Sequence, residues 1–376
     1  MAHPREVLLG AQARAGVLPV CDHYSGVEAR MRKSLQLQAD MVQEFGTCVF
    51  DVTLDCEDGA PVGGEADQAA LVAALALQVH AAARSQRLPA APRVGVRLHA
   101  VHHAAFLQDV QAVVGTAASA LSFVMVPKVE SVADVDTAVG AIDAAARQPG
   151  RQGPAHMLPL HVLVESPAAV QQVFAIAAHP RVESISFGLM DFVSAHGGAI
   201  PASAMGFDAS SASGFDGSGA ADRGAAAHAL APDQFHHPLV VRAKAEIASA
   251  CHAHGKVPSH CVVTEFRDAA AVERAARLAA NTLGYTRMWS IHPDQIRPIL
   301  RAFTPAQAEV ELAARVVLEA QRQDWAPIAV GGTLHDRASY RYFWQVLERA
   351  HQTGCTMPAE VVALFAPVPS VVEVCA

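Results

Sequence analysis

The chain has 376 residues, of which 52% are hydrophobic and 17% charged, so it can bury a large core in one domain with an appendage. Its net charge of −8 argues against a nucleic-acid partner, because phosphate backbones attract clustered lysine and arginine. No apolar run of about 18 residues is uninterrupted, so we expect no membrane partner. Seven cysteines without framework spacing, and an N-terminus without a signal-like apolar core, predict reduced thiols and a cytoplasmic location.

Short apolar runs predict eight β-strands, and alanine-rich amphipathic stretches between them predict helices. The predicted strands are Glu6 to Leu9, Cys48 to Leu54, Val94 to Leu98, Phe123 to Val126, His161 to Val164, Ser184 to Gly188, Lys256 to Val257 with the residues after it, and Thr286 to Ile291. The predicted helices are Gln68 to Arg84, Val132 to Arg147, Ala168 to Ala178, Val240 to His254 and Ala269 to Ala280. This alternation predicts an α/β fold, a (β/α)8 TIM barrel. An open doubly wound sheet is less favoured, since no G-x-G-x-x-G fingerprint follows the first strands.

One segment interrupts the alternation. Residues 202–233 are rich in glycine, alanine and serine, and they contain Gly-Phe-Asp twice, at Gly206 and Gly214. A loop of this length on a compact domain is either functional or disordered. We therefore assign it to the barrel domain, residues 1–302, as a long loop of open role.

The C-terminal segment, residues 303–376, has a different pattern. Thr304 and Pro305 predict the start of a helix that runs to about Gln323, with threonine as the N-cap and proline at the first position. Two glycines at 331 and 332 then lead to a second helix, Ala338 to Thr353. These helices predict a small helical cap appended to the barrel.

Carboxylates stand where two predicted strands end. Glu165 ends the run Val162-Leu-Val-Glu-Ser166, and Asp191 ends Ile185-Ser-Phe-Gly-Leu-Met-Asp191. In a barrel the functional groups lie at the C-terminal ends of the strands, and Mg²⁺ prefers oxygen ligands while it keeps positions open for substrate. The pattern predicts a Mg²⁺ site at Glu165 and Asp191. The alternative is that both acids merely cap the helices that follow.

A second group of charges follows three other strands. Asp55, Glu57 and Asp58 end one strand, Arg97 ends the next, and Lys128 follows a third. An arginine that ends an apolar strand needs an anion, which is either one of these acids or a substrate carboxylate or enolate oxygen. Lys128 is similarly either an ion-pair partner or a functional group, and the acids around it disfavour Schiff-base chemistry. We predict that Arg97, Lys128, Glu57 and Asp58 bind substrate.

Histidine and cysteine do not predict a zinc site strongly. His252, His254, His260 and Cys261 lie close in sequence, and such ligands suit Zn²⁺. The first two, however, lie at the end of a predicted helix, where histidine usually favours the helix dipole and solvent. We therefore expect magnesium and not zinc.

Taken in order, these segments resemble the HpcH/HpaI aldolase and citrate lyase β-subunit superfamily, nearest its malyl-CoA and citramalyl-CoA lyase branch. The resemblance runs from about Cys48 to the end of the second C-terminal helix. Its markers are Leu54-Asp-Cys-Glu-Asp58, Val96-Arg97, Val126-Pro-Lys128, Val164-Glu-Ser166, Phe187-Gly-Leu-Met-Asp191 and Trp289-Ser-Ile-His-Pro293 with Asp294-Gln-Ile296. The last marker is quite specific, whereas the others are modest alone and strong together.

The resemblance implies a TIM barrel that binds Mg²⁺ through Glu165 and Asp191, with Arg97 in contact with the substrate and the developing enolate. It also implies that Asp336, in Gly331-Gly-Thr-Leu-His-Asp336, reaches the active site of a neighbouring subunit as the catalytic acid/base. A homotrimer or homohexamer would follow. The alternative for Asp336 is an N-cap of the helix beginning near Ala338, and both roles are compatible.

The chain departs from the pattern of this superfamily at three places that bear on the substrate carrier. The N-terminal strand with a Phe-Val-Pro-Gly type turn is absent, and the chain reads Val7-Leu-Leu-Gly-Ala-Gln12, with Cys21-Asp-His-Tyr-Ser25 following. The strand at Val257-Pro-Ser-His260 lacks an aspartate that the lyases tend to have, and the 202–233 loop is unusual in composition. A coenzyme A thioester and a free acid therefore both stay open as substrates.

The resulting hypothesis is a Mg²⁺-dependent carbon–carbon lyase. It would cleave a β-hydroxyacyl compound of the malyl-CoA or citramalyl-CoA type to an acyl enolate and a 2-oxo acid. The alternatives are a Mg²⁺-dependent aldolase for free 2-oxo or hydroxy acids, a non-catalytic partner subunit of a lyase complex, and a phosphoenolpyruvate-type enzyme on the same barrel.

Overall fold

A computed structural model describes residues 3–10, 13, 17–59, 61–147, 157–207 and 232–365. Within these residues eight parallel strands pair in chain order, and the last pairs with the first, so the sheet closes into a barrel. The strands are β1 Cys21–Ser25, β2 Phe50–Asp55, β3 Val94–Arg97, β4 Phe123–Val126, β5 Leu160–Val164, β6 Val182–Phe187, β7 Val257–His260 and β8 Arg287–Ser290. The predicted TIM barrel is confirmed.

Helices alternate with these strands. In the described part of the barrel they are Glu28–Phe45, Glu65–Gln86, Phe106–Asp109, Gly115–Ala117, Val132–Ala146, Pro167–Ala178, Leu189–Ser194, Pro238–Ala253, Ala269–Leu283 and Pro293–Phe303, with a π-helical turn at Val110–Val114. Their starts follow ordinary capping chemistry. Ser166 accepts the N–H of Ala169 at 3.0 Å ahead of Pro167, and Asp268 accepts the N–H groups of Ala270 and Ala271.

Side chains alternate between two faces along each strand. On β2, Val52 and Leu54 belong to the apolar core that the strands share with the helices. Asp51, Thr53 and Asp55 alternate with them and contact polar groups of other strands. The barrel therefore has an apolar outer layer, and β2 lines its interior with charged and polar side chains that lead to the candidate site.

One barrel helix, Glu65–Gln86, is long and apolar enough to cross a membrane by length and composition. Its buried residues include Ala69, Val72 and Ala76, which belong to the barrel core. A core helix of a globular domain passes the same test, so this helix is weak support for a membrane span.

A second compact unit is formed by the residues up to Leu18 together with those from Thr304 onward, whereas the barrel unit is Pro19–Phe303. Its described elements are the helices Pro4–Leu9, Gln307–Arg322, Arg337–Gln352 and Ala359–Val362 and the antiparallel hairpin of β9 Ile328–Val330 and β10 Thr333–His335. Leu8, Val317, Tyr340 and Trp344 are buried together in its core. The N-terminal residues, which the sequence analysis assigned to the barrel, thus pack with the C-terminal helices.

Two local predictions are wrong. Glu6 to Leu9 is helical, because His3 caps the helix and Pro4 opens it, and the first barrel strand is β1 instead. The helix expected from Thr304 begins at Gln307, with Ala306 at the N-cap. The helices Glu28–Phe45 and Pro293–Phe303 were not predicted from the sequence.

The segment 202–233 is described only at its ends. Ala202–Met205 forms a 3₁₀ helix, whereas residues 208–231, with the second Gly-Phe-Asp at Gly214, lie outside the described residues. After them, the side-chain oxygen Oε1 of buried Gln234 accepts a hydrogen bond from the ammonium group of buried Lys244 at 2.8 Å. This contact ties the chain to the helix that leads into β7.

Candidate active site

Glu165 and Asp191 lie together at the C-terminal mouth of the barrel. Glu165 follows β5 and is buried, whereas Asp191 lies in the first turn of the helix after β6 and is exposed. The Asp191 carboxyl group lies near enough to Glu165 to act on its charge. Burial, together with the Asp191 carboxyl group, raises the pKa of Glu165 to about 8, although the backbone N–H of Lys128 opposes this shift.

A paired carboxyl site of this kind fits a divalent cation. An acid whose pKa is raised by a neighbouring carboxyl group is stabilised as an anion when a cation binds beside it. No group of three or more His, Cys, Asp or Glu side chains gathers into a metal site within the described ranges. The pair would thus supply two oxygen ligands and leave the other positions to water or substrate, as Mg²⁺ requires.

Glu165 can pack closely against the chain after β6 because that junction carries a glycine. A Cβ atom at Gly188 would lie 2.6 Å from Oε2 and 2.7 Å from Cβ of Glu165, closer than side-chain carbons come. Gly188 also donates its backbone N–H to the carbonyl of Val164 at 3.0 Å. The two strand ends are therefore held side by side with their acids converging.

Arg97 is buried at the end of β3 and contacts each acid that follows β2. Its Nε lies 2.6 Å from Oδ1 of Asp55, its Nη1 3.1 Å from Oε2 of Glu57 and its Nη2 2.9 Å from Oδ2 of Asp58. Nη2 also donates to the hydroxyl of Tyr24 at 3.1 Å. The ion-pair alternative is thus what the structure shows for Arg97, and substrate contact stays a prediction.

These contacts fix the charges of the cluster. Burial lowers the pKa of Arg97, but the hydrogen bonds and charge of Asp55 outweigh it and raise that pKa well above its ordinary value. The same pairing holds the pKa of Asp55 below its usual range despite burial. Asp58, whose side chain is 68% exposed, is the one solvated partner of Arg97 among the three acids. Its carboxylate is the one that a substrate oxygen could replace with least rearrangement.

Lys128 lies between the two groups. Its Nζ donates to Oε1 of Glu57 at 2.6 Å, and its backbone N–H donates to Oε1 of Glu165 at 2.8 Å. Partial burial lowers the pKa of Lys128, but Glu57 outweighs this and raises it, so the side chain stays a cation. Glu57 thus joins Lys128 to Arg97, and the contact of Lys128, Glu57 and Asp58 with substrate stays a prediction.

Asp336 caps a helix in the second unit. Its Oδ1 accepts the N–H of Ala338 at 3.0 Å, and its own N–H donates to Oγ of Ser339 at 3.0 Å, which completes a capping box at Arg337–Gln352. The side chain is exposed. The capping alternative is confirmed, and a catalytic role in a neighbouring subunit remains compatible with it.

Two aromatic residues of the mouth were not predicted. The hydroxyl of Tyr24 donates to Oδ2 of Asp55 at 2.6 Å, and its ring lies edge-on to Trp289 at 5.8 Å between centroids. Trp289 is buried, and its indole Nε1 has no hydrogen-bond partner. The sequence signal was weak for Tyr24, because β1 is a polar strand without an apolar run.

The histidines considered for zinc have other contacts. Nε2 of His252 lies 2.7 Å from the carbonyl of Gly284, and His260 stacks on Phe235 at 5.3 Å. Cys261 donates to the amide oxygen of Gln234 at 3.1 Å. The six cysteines of the described residues are unpaired thiols, in agreement with the reduced state that the sequence predicts.

Comparison with known proteins identifies the family. The HpcH/HpaI aldolase/citrate lyase model matches residues 34–204. A citrate lyase crystal structure from Burkholderia xenovorans LB400 is 44% identical, covers 97% of this chain and 100% of that one, and superposes with a TM-score of 0.71. The chain belongs to the HpcH/HpaI aldolase/citrate lyase family. As a member of this family it is an enzyme, a carbon–carbon lyase.

Two other similar proteins differ in what they act on or bind. The L-malyl-CoA/beta-methylmalyl-CoA lyase of Rhodobacter capsulatus is 29% identical over 264 residues, which cover 68% of this chain and 76% of the relative. The protein CitE of Mycobacterium tuberculosis, solved with magnesium, acetoacetate and coenzyme A, is 20% identical, covers 89% of this chain and 98% of that one, and has a TM-score of 0.57. At this identity the CitE structure shows a shared fold.

Proposed function

We propose that this lyase is Mg²⁺-dependent and cleaves a β-hydroxyacyl thioester of the malyl-CoA or citramalyl-CoA type to an acyl enolate and a 2-oxo acid. The observation that carries the proposal is the convergence of Glu165 and Asp191 beside the Arg97 cluster at one mouth of the barrel. Five acids of this mouth, Asp55, Glu57, Asp58, Glu165 and Asp191, face two basic side chains, Arg97 and Lys128. This excess of negative charge favours a bound cation.

Each residue has a role that follows from its position. Mg²⁺ held by Glu165 and Asp191 would act as a Lewis acid toward the carboxylate and adjacent oxygen of the 2-oxo-acid portion. Arg97 would stabilise the enolate oxygen as it develops, because buried donors aimed at a forming charge are worth more than solvated ones. The enolate oxygen would replace Asp58 as the partner of Arg97 Nη2, since the Asp58 side chain is largely solvated.

The proton step is assigned to Asp336. In this proposal Asp336 of a neighbouring subunit exchanges a proton with the acyl carbon next to the thioester. The enzyme would then be a homo-oligomer, a trimer or hexamer, because the barrel of one subunit needs the second unit of another. We propose a cytoplasmic location, in keeping with unpaired cysteines.

The relatives support a thioester substrate. The Rhodobacter capsulatus relative is an L-malyl-CoA/beta-methylmalyl-CoA lyase, and the CitE protein was solved with magnesium and coenzyme A. The charge pattern alone is equally compatible with a free hydroxy acid, since both substrates present a carboxylate and an oxygen to the metal.

A substrate panel tests the proposal. The purified chain is assayed with malyl-CoA, citramalyl-CoA, and free malate and citramalate, each with Mg²⁺ and with a chelator. We expect 2-oxo-acid release from a thioester that stops on chelation. If only the free acids are turned over, the thioester substrate is refuted and the aldolase for free acids is favoured. Turnover that survives chelation would refute the metal assignment.

A further inference from the structure

The backbone at Lys128 has an unusual conformation. Its φ angle is +53°, in the left-handed region that L-amino acids rarely adopt. Among the described residues other than glycine, only Arg87, Asp324 and Trp325 share this property, and all three lie within three residues of the end of a long helix, where left-handed residues are common. Lys128 instead follows strand β4 at the candidate site, where strain is often linked to function.

Lys128 is held at both ends by groups of that site. Its backbone N–H donates to Oε1 of Glu165, and its Nζ donates to Oε1 of Glu57. The other oxygen of Glu57 lies 3.1 Å from Nη1 of Arg97. One residue thus joins the carboxylate proposed for the metal to the arginine proposed for the substrate.

We propose that Lys128 is a positioning residue: its ion pair with Glu57 holds the left-handed backbone, which aims the N–H group at Glu165. This inference rests on the proposed function, since it concerns the metal carboxylate. An L-residue without that side-chain anchor would relax toward an ordinary φ and turn its N–H away. Glycine would not relax, because it has no Cβ to strain the left-handed conformation.

The N–H bond matters because it acts on the carboxylate that must bind metal. The Lys128 N–H lies 2.8 Å from Oε1 of Glu165 and fixes that oxygen in space, so the other oxygen and Asp191 can face a common ion. Losing the bond should therefore weaken metal binding before any substrate is present.

A matched pair of variants separates the effect of the backbone conformation from the effect of the ammonium group. Lys128→Ala and Lys128→Gly both delete the ammonium and both keep the N–H, but only glycine adopts the left-handed region freely. We expect Lys128→Ala to bind Mg²⁺ about tenfold more weakly than the wild type, since left-handed strain in an L-residue corresponds to about that factor. Lys128→Gly should stay within about twofold of wild type, and Lys128→Arg, which keeps the cation, should bind as the wild type does.

The binding measurement is isothermal titration of the full chain with MgCl₂, without substrate. Turnover at saturating Mg²⁺ should fall alike in the alanine and glycine variants, because both lose the contact through Glu57 to Arg97. Thermal unfolding without Mg²⁺ checks that both fold. Equal Mg²⁺ affinity of the two folded variants would overturn the inference, whereas a wild type that binds no Mg²⁺ would overturn the proposed function and the inference with it.

Discussion

Two charged clusters lie inside the same barrel, one at each end of the strands. At the N-terminal floor, fully buried Arg287 lies 2.8 Å from Asp51 and 3.2 Å from Asp22. Arg93 pairs with the same Asp51 at 2.9 Å and lies 3.9 Å from Glu183. Each acid of the floor therefore meets an arginine.

The mouth is arranged differently. Glu165 meets a second carboxyl group, Asp191, and a backbone N–H in place of a basic side chain. Asp58 and Lys128 are partly solvated, with side chains 68% and 45% exposed. The floor thus pairs its acids with arginines of the same chain, whereas the mouth leaves acids that a cation would pair with.

The difference teaches how to separate structural from functional charge in a barrel. A buried, mutually paired cluster contributes to folding, and its loss leaves uncompensated charge in the core. A cluster with unpaired acids near solvent contributes little to folding and can bind a ligand. Substitutions at the two ends should therefore separate activity from stability.

The largest effect is expected at the mouth. Asp191→Ala removes one of two metal ligands, so Mg²⁺-dependent cleavage should fall by about 10³-fold or more while the protein stays folded. Steady-state turnover and thermal unfolding, measured on the same preparation, check both parts. Glu311→Ala, an exposed acid on the helix Gln307–Arg322, is the control that should keep its turnover. Unchanged cleavage in Asp191→Ala would refute the metal assignment.

At the floor, Arg287→Met should cost stability. Asp22 and Asp51 would lose their shared buried partner, and breaking such a pair costs about 3–5 kcal/mol. Denaturant unfolding measures this loss. The exposed pair Arg301 and Glu273 supplies a matched control, since Arg301→Met should cost less than about 1 kcal/mol. Equal losses in the two variants would contradict the structural role of the floor.

Acid should destabilise the barrel through His23, the neighbour of Asp22 on β1. Its Nε2 and Nδ1 lie 2.9 Å and 3.0 Å from the hydroxyls of Ser34 and Ser290. Burial, with the charge of His292, lowers the pKa of His23 from 6.5 to about 4. The unfolded chain therefore binds a proton first as the pH falls, and stability is lost between pH 6.5 and about 4, by about 3 kcal/mol in all.

Unfolding free energies measured from pH 7 to 4 check this slope. His23→Asn should flatten it over that window, because the titrating group is gone. His80→Asn, at an exposed position on the helix Glu65–Gln86, should leave the slope as it is. A His23→Asn slope equal to that of the wild type would show that other groups carry the acid sensitivity.

The smallest effect concerns the second unit. Asp336→Asn should slow exchange of the acyl-carbon protons into deuterated solvent by about 10²-fold, because a carboxylate base is lost. Asparagine caps helices about as well as aspartate, so the unfolding temperature should hold. Proton NMR of the substrate follows the exchange, and Mg²⁺ binding should be unaltered. Exchange at the normal rate would remove Asp336 from the mechanism.

Much of the fold was predictable from local patterns. Seven barrel strands overlap runs that were predicted as strands, such as Phe123–Val126. The first strand did not, because β1 carries Asp22 and Tyr24 on its inner face and His23 on its outer face. Polar side chains satisfied by distant partners leave no local signal, and the short apolar run at Glu6 to Leu9 was taken for the strand instead.

The candidate site was partly predictable for the same reason. Acids after apolar strands, such as Glu165, indicate strand ends, and strand ends of a barrel converge. The ion pairs of Arg97 and the contacts of Lys128 and Tyr24 join residues 31 to 73 positions apart. Sequence spacing carries no information on which of several acids an arginine will meet.

The amino-acid order alone determined the alternation of strands and helices and the acids that end the strands, because hydrophobic periodicity and helix capping are local properties. Only the closed barrel decided that one set of charges is buried and paired while another opens to solvent. That division depends on which strands become neighbours and which end faces water. The left-handed turn at Lys128 likewise exists only because contacts on both sides outweigh its local cost.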